Sequence, residues 1–387
     1  MHAYLDNNAT TMPAPEAIEA MVLALREEWA NPSSVHRFGQ RARQRVELAR
    51  EQVSRLINAK PREIIFTSGA TESNNLAIRG VLAARPNRRT VISTLLEHSA
   101  AREPCKRLAE VNDYNVVWLP VSIEGIVDLD ALRTALVKHS EDVALVSIHW
   151  INNETGAIQP IERIGEICRE HKVPFFSDAT QAIGKTPCDL ASLPVDAMSF
   201  SSHKLHGPKG AGVLFARSRL GLVPQMLGGP HERERRGGTE NVPGIVGLGV
   251  AAELAAKFLA SNGPTTGAAR RDRLERAILA AVPDAQVNSG GAQRIWNTTN
   301  VGFPPLESEA ILLLLSERGI SAAAGAACSS GSLEPSPVLL AQGIPEPVAH
   351  GSVRFSLSRY TTDEEIDYAT TVVPQVIARL RESMPVG

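Results

Sequence analysis

One stretch of the chain, residues 199–210, concentrates side chains that are suited to covalent chemistry. Ser201, Ser202 and His203 come directly before Lys204, at the end of an apolar run that predicts a buried strand. A lysine in this position can hold an aldehyde cofactor as a Schiff base. Pyridoxal phosphate is the candidate, because proteins bind it with a lysine, phosphate donors and an acid for the pyridine nitrogen. The alternative is a solvated basic loop with two ordinary histidines, so the rest of the chain must supply the other parts.

A second segment, residues 67–72, has the composition of a phosphate-binding turn between a strand and a helix. Gly69 allows close approach of the backbone. The free N–H groups of the helix that follows, together with the Thr71 hydroxyl, can hold a phosphate. Many strand–helix turns carry the same residue types only as helix caps, and that interpretation stays open.

Further polar residues follow other predicted strands. Asp178 could pair with a protonated pyridine nitrogen, and Gln181 could reach the phenolic oxygen of the ring. His98 could stack on the cofactor ring and shuttle protons. Asn152 could bind a cofactor or substrate oxygen. The ordinary alternatives are a helix N-cap for Asp178 and a hydrogen-bonded core position for His98.

Two residues near the C-terminal end could act on a substrate. Cys328 lies among alanine, glycine and serine residues, in residues 322–332. A structural cysteine usually lies among larger apolar residues, whereas a reactive one needs access and thiolate character, so this pattern favours a reactive thiol. Arg354, on a short predicted strand, is suited to bidentate binding of a carboxylate, and its alternative is a surface ion pair.

The elements that must position these residues alternate along the chain. Two helices, over residues 13–29 and 37–58, come first. Seven strands are then predicted over residues 64–67, 90–94, 116–119, 143–148, 174–177, 197–200 and 213–216. Helices are predicted between them over residues 72–84, 100–111, 129–138 and 161–171. This order builds a parallel sheet covered on both faces, and ligands bind beyond the carboxyl ends of its strands. Residues 261–267 are expected to form a linker to a small α+β domain.

The composition sets limits on the class of protein. The chain has 387 residues, of which 43% are hydrophobic and 21% charged, as in a large globular domain with a smaller one. Its net charge of −2 gives no general attraction to nucleic acid or to an anionic membrane. We expect no signal peptide and no apolar run as long as a membrane span. Four cysteines without a Cys-x-x-Cys pair predict free thiols in a reducing compartment. A cytoplasmic enzyme fits these features, and so does a soluble binding protein.

Three motifs occur together in one order: FTSGATESNN at residues 66–75, SSHK at residues 201–204 and ACSSG at residues 327–331. With them the chain resembles the cysteine desulfurases of the class V aminotransferase family, from residue 4 to the strand that carries Arg354. The resemblance implies an α/β fold, the pyridoxal-phosphate-dependent transferase fold of type I. In that fold a seven-stranded, mainly parallel sheet lies between helices, beside a smaller α+β domain. The implied divisions are an N-terminal arm (1–12) that joins the small domain, a large cofactor-binding domain (13–260) and a small C-terminal domain (261–387) with the cysteine loop.

The resemblance also implies a role for each site residue. Lys204 is the Schiff-base lysine, Asp178 the partner of the pyridine nitrogen, Gln181 the partner of the phenolic oxygen and His98 the stacking residue. The implied phosphate ligands are Ala70, Thr71, Ser201, His203 and, from the neighbouring subunit of a homodimer, Thr239. The implied clamp for the substrate carboxylate is Asn152 with Arg354.

The implied reaction takes sulfur from L-cysteine, releases L-alanine and leaves a persulfide on Cys328. Lys204 moves the α-proton, and the sulfur passes to an acceptor or iron–sulfur scaffold protein. No metal is intrinsic, although Cys328 could transiently bind a cluster shared with a scaffold. The cysteine motif is similar to that of the long-loop subgroup. The RGGTEN motif at residues 236–241 and the chain end at Gly387 favour the nitrogen-fixation type. The alternatives are a selenocysteine lyase or an aminotransferase on the same fold, or a sulfur-protein scaffold without enzyme activity.

Overall fold

The computed structural model of the protein describes residues 1–111, 113–325 and 334–383. A short strand, β1 (Ala3–Tyr4), precedes a seven-stranded central sheet. The strands of this sheet are β2 (Ile64–Thr67), β3 (Thr90–Ser93), β4 (Asn115–Trp118), β5 (Val143–Ser147), β6 (Phe175–Asp178), β7 (Ala197–Ser201) and β8 (Gly212–Ala216). All seven lie within a residue or two of their predicted positions.

The strands are arranged in the order β2-β8-β7-β6-β5-β3-β4. The five strands from β7 to β4 run parallel to one another. Strand β8 is antiparallel to both of its neighbours, β2 and β7. The predicted α/β fold with a mainly parallel sheet of seven strands is therefore confirmed.

Helices surround the sheet and form most of the remaining structure. The first six are α1 (Pro15–Glu27), α2 (Arg37–Leu56), α3 (Ala70–Ala83), α4 (Ser99–Val111), α5 (Leu129–Lys138) and α6 (Ile161–Glu170). The others are α7 (Val242–Leu259), α8 (Gly263–Ala281), α9 (Ser308–Glu317), α10 (Pro337–Ala341), α11 (Glu346–His350) and α12 (Asp363–Glu382).

The sheet is buried on both faces because alternate residues of a strand point in opposite directions. In β2, Ile64 and Phe66 join one core cluster, whereas Ile65 joins the other. The first cluster is filled from α2, α6 and α7, and the second from α3 and α4. Each face of the sheet thus has its own hydrophobic layer, as expected for a parallel sheet between helices.

Helix α7 is long and apolar enough to cross a membrane, the one helix of that kind in the described part of the chain. No apolar run of this length was expected from the sequence. More than half of the helix is buried, and it packs on α1 and α2. Its apolar side chains therefore form part of the core.

The C-terminal third contributes two small sheets. Strands β9 (Gln286–Val287), β10 (Thr298–Gly302) and β12 (Ser352–Ser356) form an antiparallel sheet. Strand β11 (Ile320–Ser321) pairs in parallel with β1, so the first residues of the chain join this region. The linker expected over residues 261–267 is not an extended segment, because α8 begins at Gly263. Pro264 lies in the first turn of that helix, where proline is tolerated, although the composition suggested a loop.

Candidate active site

A cavity of about 960 Å³ lies at the carboxyl ends of the sheet strands. Residues that follow β2, β3, β5, β6 and β7 form its walls, together with the first turns of α3 and α4. The sequence-predicted residues that line it are Ala70, Thr71, His98, Asp178, Gln181, Ser201, His203, Lys204 and Arg354. The fold thus brings together residues from positions almost 300 apart in the chain, at the edge where ligands of such sheets bind.

Lys204 ends a short 3₁₀ turn that continues β7 into the cavity. Its Nζ donates hydrogen bonds to the backbone carbonyls of Asn8, at 2.5 Å, and Ala9, at 2.8 Å. The N-terminal arm therefore passes directly beside the lysine. Both contacts are to backbone carbonyl oxygens.

Asp178, the last residue of β6, is held rigidly at the cavity wall. One carboxylate oxygen accepts the Asn74 side-chain amide at 2.7 Å, and the other accepts the backbone N–H of Thr180 at 2.9 Å. Asn74 is itself bonded to the Ser199 hydroxyl on β7. An ionised carboxylate accepts up to about four hydrogen bonds, so Asp178 keeps capacity for a donor in the cavity. The backbone contact to Thr180 also agrees with the alternative role of Asp178 as a local cap.

The part of the cavity wall at the start of α3 is suited to an anion. Helix α3 starts after Gly69 without a side-chain cap, so N–H groups of its first turn remain available. Ser201 and His203 line the same cavity. Burial, followed by the positive charges of Lys204, Lys209 and Lys185, lowers the pKa of His203 to about 4. His203 is therefore neutral at pH 7 and contributes no fixed charge.

His98 lines the cavity where α4 begins. Its Nδ1 accepts the backbone N–H of Ala100 at 3.1 Å, which sets the orientation of the ring. Behind it, the buried carboxylate of Glu97 accepts hydrogen bonds from the backbone and the ring of His149 at 3.1 and 2.9 Å. The His98 ring is thus an oriented wall of the cavity rather than a core histidine.

Arg354 reaches the cavity from β12. It is 2% exposed, forms an ion pair with Asp6 at 2.8 Å and donates to the carbonyls of Asn153 and Gly325. Its Nε is buried and has no hydrogen-bond partner among the described residues. A guanidinium that makes these contacts can still bind a carboxylate through its remaining N–H donors.

Asn152, expected beside Arg354, does not line the cavity. Its carboxamide oxygen accepts the backbone N–H groups of Glu154 and Thr155, and its nitrogen donates to the carbonyl of Leu96. The next residue, Asn153, lies in the cavity wall instead. Of these two adjacent asparagines, only Asn153 lines the cavity. The sequence alone contains no pattern that distinguishes them.

Thr239, the expected phosphate ligand of the neighbouring subunit, does not line this cavity. Thr239 lines a separate small cavity of about 100 Å³, beside Arg236 and Gly210. Gly210 and Ser68 line both cavities, so the two are neighbours. Cys328 lies outside the described residues.

With this geometry established, the comparisons with known proteins identify the family. A family model described as aminotransferase class-V matches residues 3–369. The chain is 48% identical over 382 residues to a cysteine desulfurase of Trichormus azollae, covering 99% of this chain and 94% of the relative. The chain belongs to the cysteine desulfurases of the aminotransferase class-V family. It is also 47% identical over 383 residues to cysteine desulfurase NifS of Azotobacter vinelandii, covering 99% of this chain and 94% of that protein.

Solved structures support the same family and fold. A structure titled NifS-like protein matches with a TM-score of 0.91 and 36% identity, covering 98% of this chain and 100% of that one. A structure titled SspA in complex with cysteine matches with a TM-score of 0.82 and 34% identity, covering 93% and 100%.

Sequence reasoning missed three residues that organise the site of this class-V protein. Asn8 contacts Lys204 through its backbone, Asn74 holds Asp178, and Lys185 binds the side chain of Gln181. Asn74 lies within the motif at residues 66–75 that carried the resemblance, so its polar character was the available signal. Lys185 had none, because a lysine seven residues after a strand usually points into solvent.

Proposed function

We propose that this cysteine desulfurase uses pyridoxal phosphate on Lys204 to take the sulfur from L-cysteine, leaving a persulfide on Cys328 and releasing L-alanine. The observation that carries the proposal is one cavity with a lysine on its wall, a buried carboxylate on one side and an uncapped helix N-terminus at its end. No single one of these groups is specific, but a cofactor with an aldehyde, a ring nitrogen and a phosphate needs all three.

The residues present fit this cofactor. The N–H groups at Ala70 and Thr71, with Ser201 and His203, would hold the phosphate, because a helix N-terminus attracts an anion. Asp178 is 7% exposed and needs a donor to offset its burial, which a protonated ring nitrogen supplies. The remaining contacts would be Gln181 at the phenolic oxygen and His98 on the ring face. When bound, the cofactor supplies an electron sink for the bonds around the substrate's α-carbon.

Lys204 has two tasks in this proposal. It holds the cofactor before substrate arrives, and its freed Nζ then takes the proton from the α-carbon of L-cysteine. The guanidinium of Arg354 binds the substrate carboxylate, which fixes the α-carbon relative to the lysine. Asn153 takes the place proposed for Asn152 in this clamp, because the carboxamide of Asn152 is already bonded within the protein.

The sulfur step belongs to Cys328. Its thiolate attacks the substrate sulfur, so that a new S–S bond forms while the bond from sulfur to the β-carbon breaks. The electron pair of the broken bond stays with the carbon, which takes up a proton and becomes the methyl group, and Lys204 returns a proton to the α-carbon to give alanine. The outer sulfur of the persulfide then passes to a thiol of an acceptor protein.

Borohydride reduction tests the assignment of the lysine. Purified protein loaded with pyridoxal phosphate is reduced and digested, and the modified lysine is located by mass spectrometry. The adduct is expected on Lys204. Lys209, which lines the same cavity, is the matched control, and its alanine variant should keep the adduct and the activity. An adduct on Lys209 would contradict the proposal.

A second experiment tests the thiol. After one turnover with L-cysteine, the added sulfur atom should map to Cys328, and Cys328→Ala should make almost no alanine. Burial, followed by the charge of Asp189, raises the pKa of Cys188 to about 12, so Cys188→Ala is the control and should behave like the parent. Alanine production by Cys328→Ala at the parent rate would show that the sulfur leaves without this thiol, and would contradict a persulfide on Cys328.

We also propose a homodimer in which Thr239 completes the phosphate site of the partner. Thr239 is exposed and lies outside the cavity of its own chain. Three exposed apolar side chains around the connection between α1 and α2, Trp29 at 71%, Val35 at 92% and Phe38 at 59% exposure, give a second copy an apolar surface to bury. Light scattering should give twice the chain mass, and a fully active monomer would contradict the proposal.

We also propose a compartment and a sulfur acceptor for this protein. We place the protein in the cytoplasm, supplying an iron–sulfur scaffold protein in the manner of the nitrogen-fixation type. Transfer of labelled sulfur from the Cys328 persulfide to a purified scaffold with reduced cysteines would support this. If the label instead stayed on the protein until an added small thiol released all of it as free sulfide, this would argue against direct transfer to the scaffold.

A further inference from the structure

Lys185 is a buried lysine that the proposed reaction does not use. Its side chain is 6% exposed, and its Nζ donates to Oε1 of Gln181 at 2.6 Å and to Oδ1 of Asn8 at 3.1 Å. Burial, followed by the positive charges of Lys204 and Arg354, lowers its pKa well below the usual range. Lys185 does not line the main cavity, so any effect on the site must pass through its partners.

The contact with Gln181 selects one of two orientations of a carboxamide. Nζ of Lys185 donates to Oε1, so the oxygen end of the Gln181 amide faces the lysine. The nitrogen end of Gln181 must then face the other way, where Nε2 donates to the backbone carbonyl of Asn8 at 3.0 Å. A flipped carboxamide would set N–H groups against the lysine amine inside the protein and lose both hydrogen bonds.

Asn8 joins the same network to Lys204. Its side-chain oxygen accepts from Lys185, while its backbone carbonyl accepts from both Gln181 and Lys204. One N–H of the Gln181 amide is used by Asn8, which leaves the second N–H for a ligand. Gln181 lines the main cavity, so that ligand lies in the cavity.

We propose that Lys185 is a positioning residue of the cofactor site: by holding Oε1 of Gln181, it keeps the Nε2 donor available to an oxygen of the bound ligand. The inference rests on the proposed function, since the phenolic oxygen of pyridoxal phosphate is the acceptor in question. A donor at that oxygen stabilises its ionised form, so Lys185 acts on the acidity of the lysine-bound cofactor without touching it.

The test is a pH titration of the visible absorbance of the cofactor-loaded protein. Removing a hydrogen bond to a charged oxygen should raise the midpoint by about one to two pH units. We expect this rise in Gln181→Ala and an equal rise in Lys185→Met, which keeps the length of the side chain but has no donor. The double variant should show no further rise, because Lys185 acts through Gln181.

The outcomes separate the inference from simpler roles of the lysine. A Lys185→Met protein that melts earlier but titrates like the parent would show a merely structural role and overturn the proposal. Additive rises in the double variant would mean that the charge of Lys185 acts directly, which also overturns it. Lys185→Gln retains a donor and serves if the methionine variant does not fold. It should titrate near the parent, and a rise equal to that of Gln181→Ala would refute the proposal.

Failure of the proposed function gives a different result. If the parent protein binds no pyridoxal phosphate and shows no visible absorbance, the proposed function fails, and the inference fails with it. If the parent has the absorbance and only the Lys185 variants titrate unchanged, the inference alone is wrong.

Discussion

Breaking the ion pair between Arg50 and Glu232 from one side should be one of the most destabilising single changes in this protein. Two parallel hydrogen bonds of 2.8 Å join the guanidinium to the carboxylate. Arg50 is 5% exposed and Glu232 7% exposed. The carboxylate also accepts the backbone N–H of Phe66 at 2.9 Å, and the guanidinium lies over the Phe66 ring at 4.6 Å. The pair thus ties α2 and β2 to the segment that leads to Thr239.

Replacing Arg50 with methionine leaves the Glu232 carboxylate buried without its counter-ion. Breaking a buried pair from one side costs about 3–5 kcal/mol of unfolding free energy. Arg41→Met, on the same helix, is the matched control because Arg41 is 51% exposed in its ion pair with Glu27. An exposed pair contributes about 0–1 kcal/mol, and that contribution should decrease in high salt.

The measurement is urea unfolding of the cofactor-free protein, for the parent, the single variants Arg50→Met, Glu232→Gln and Arg41→Met, and the double variant Arg50→Met with Glu232→Gln. The double variant should lose less free energy than the sum of its single variants, because it leaves no unpaired charge behind. The reasoning is refuted if Arg50→Met costs no more than Arg41→Met, or if the losses from the two sides of the pair are additive.

Three further predictions concern backbone strain, acid stability and the ring nitrogen. Glu234 is exposed and has a left-handed φ of +64°, so Glu234→Gly should raise the unfolding free energy by about 1 kcal/mol in the same urea assay, and a loss would contradict this. Burial, followed by the charge of Arg359, lowers the pKa of His206 to about 4, below the ordinary value of about 6.5, so the unfolded chain binds the extra proton first. The melting temperature of cofactor-free protein should therefore fall as the pH drops from about 6.5 towards 4, and less steeply in His206→Gln; an equally steep fall in that variant would exclude His206 as a cause. Asp178→Asn should still bind pyridoxal phosphate through its phosphate, yet exchange the substrate α-proton for deuterium at least about tenfold more slowly, and a near-normal exchange rate would count against the assignment.

The elements of this protein could be predicted closely from the sequence, because they depend on local patterns. The apolar runs of four or five residues between amphipathic stretches predict buried parallel strands, and β2 to β8 lie where those runs are. Lys204 and Asp178 follow two such strands. Since the strand ends of a parallel sheet share one edge, their meeting in one cavity followed from the fold class. The roles expected of these two residues came from the family motifs.

Contacts between distant segments depended on the tertiary structure. The antiparallel direction of β8 is decided by its neighbours β2 and β7, and its own residues do not encode it. That Asn153 lines the cavity and Asn152 does not depends on the turn that bonds the Asn152 carboxamide. The role of Lys185 depends on Asn8, 177 residues earlier in the chain. The sequence by itself determined which elements form and which chemical groups stand at their ends. Only the packing of the chain decided the partners, since burial makes each polar group find a hydrogen bond among whatever residues the fold places beside it.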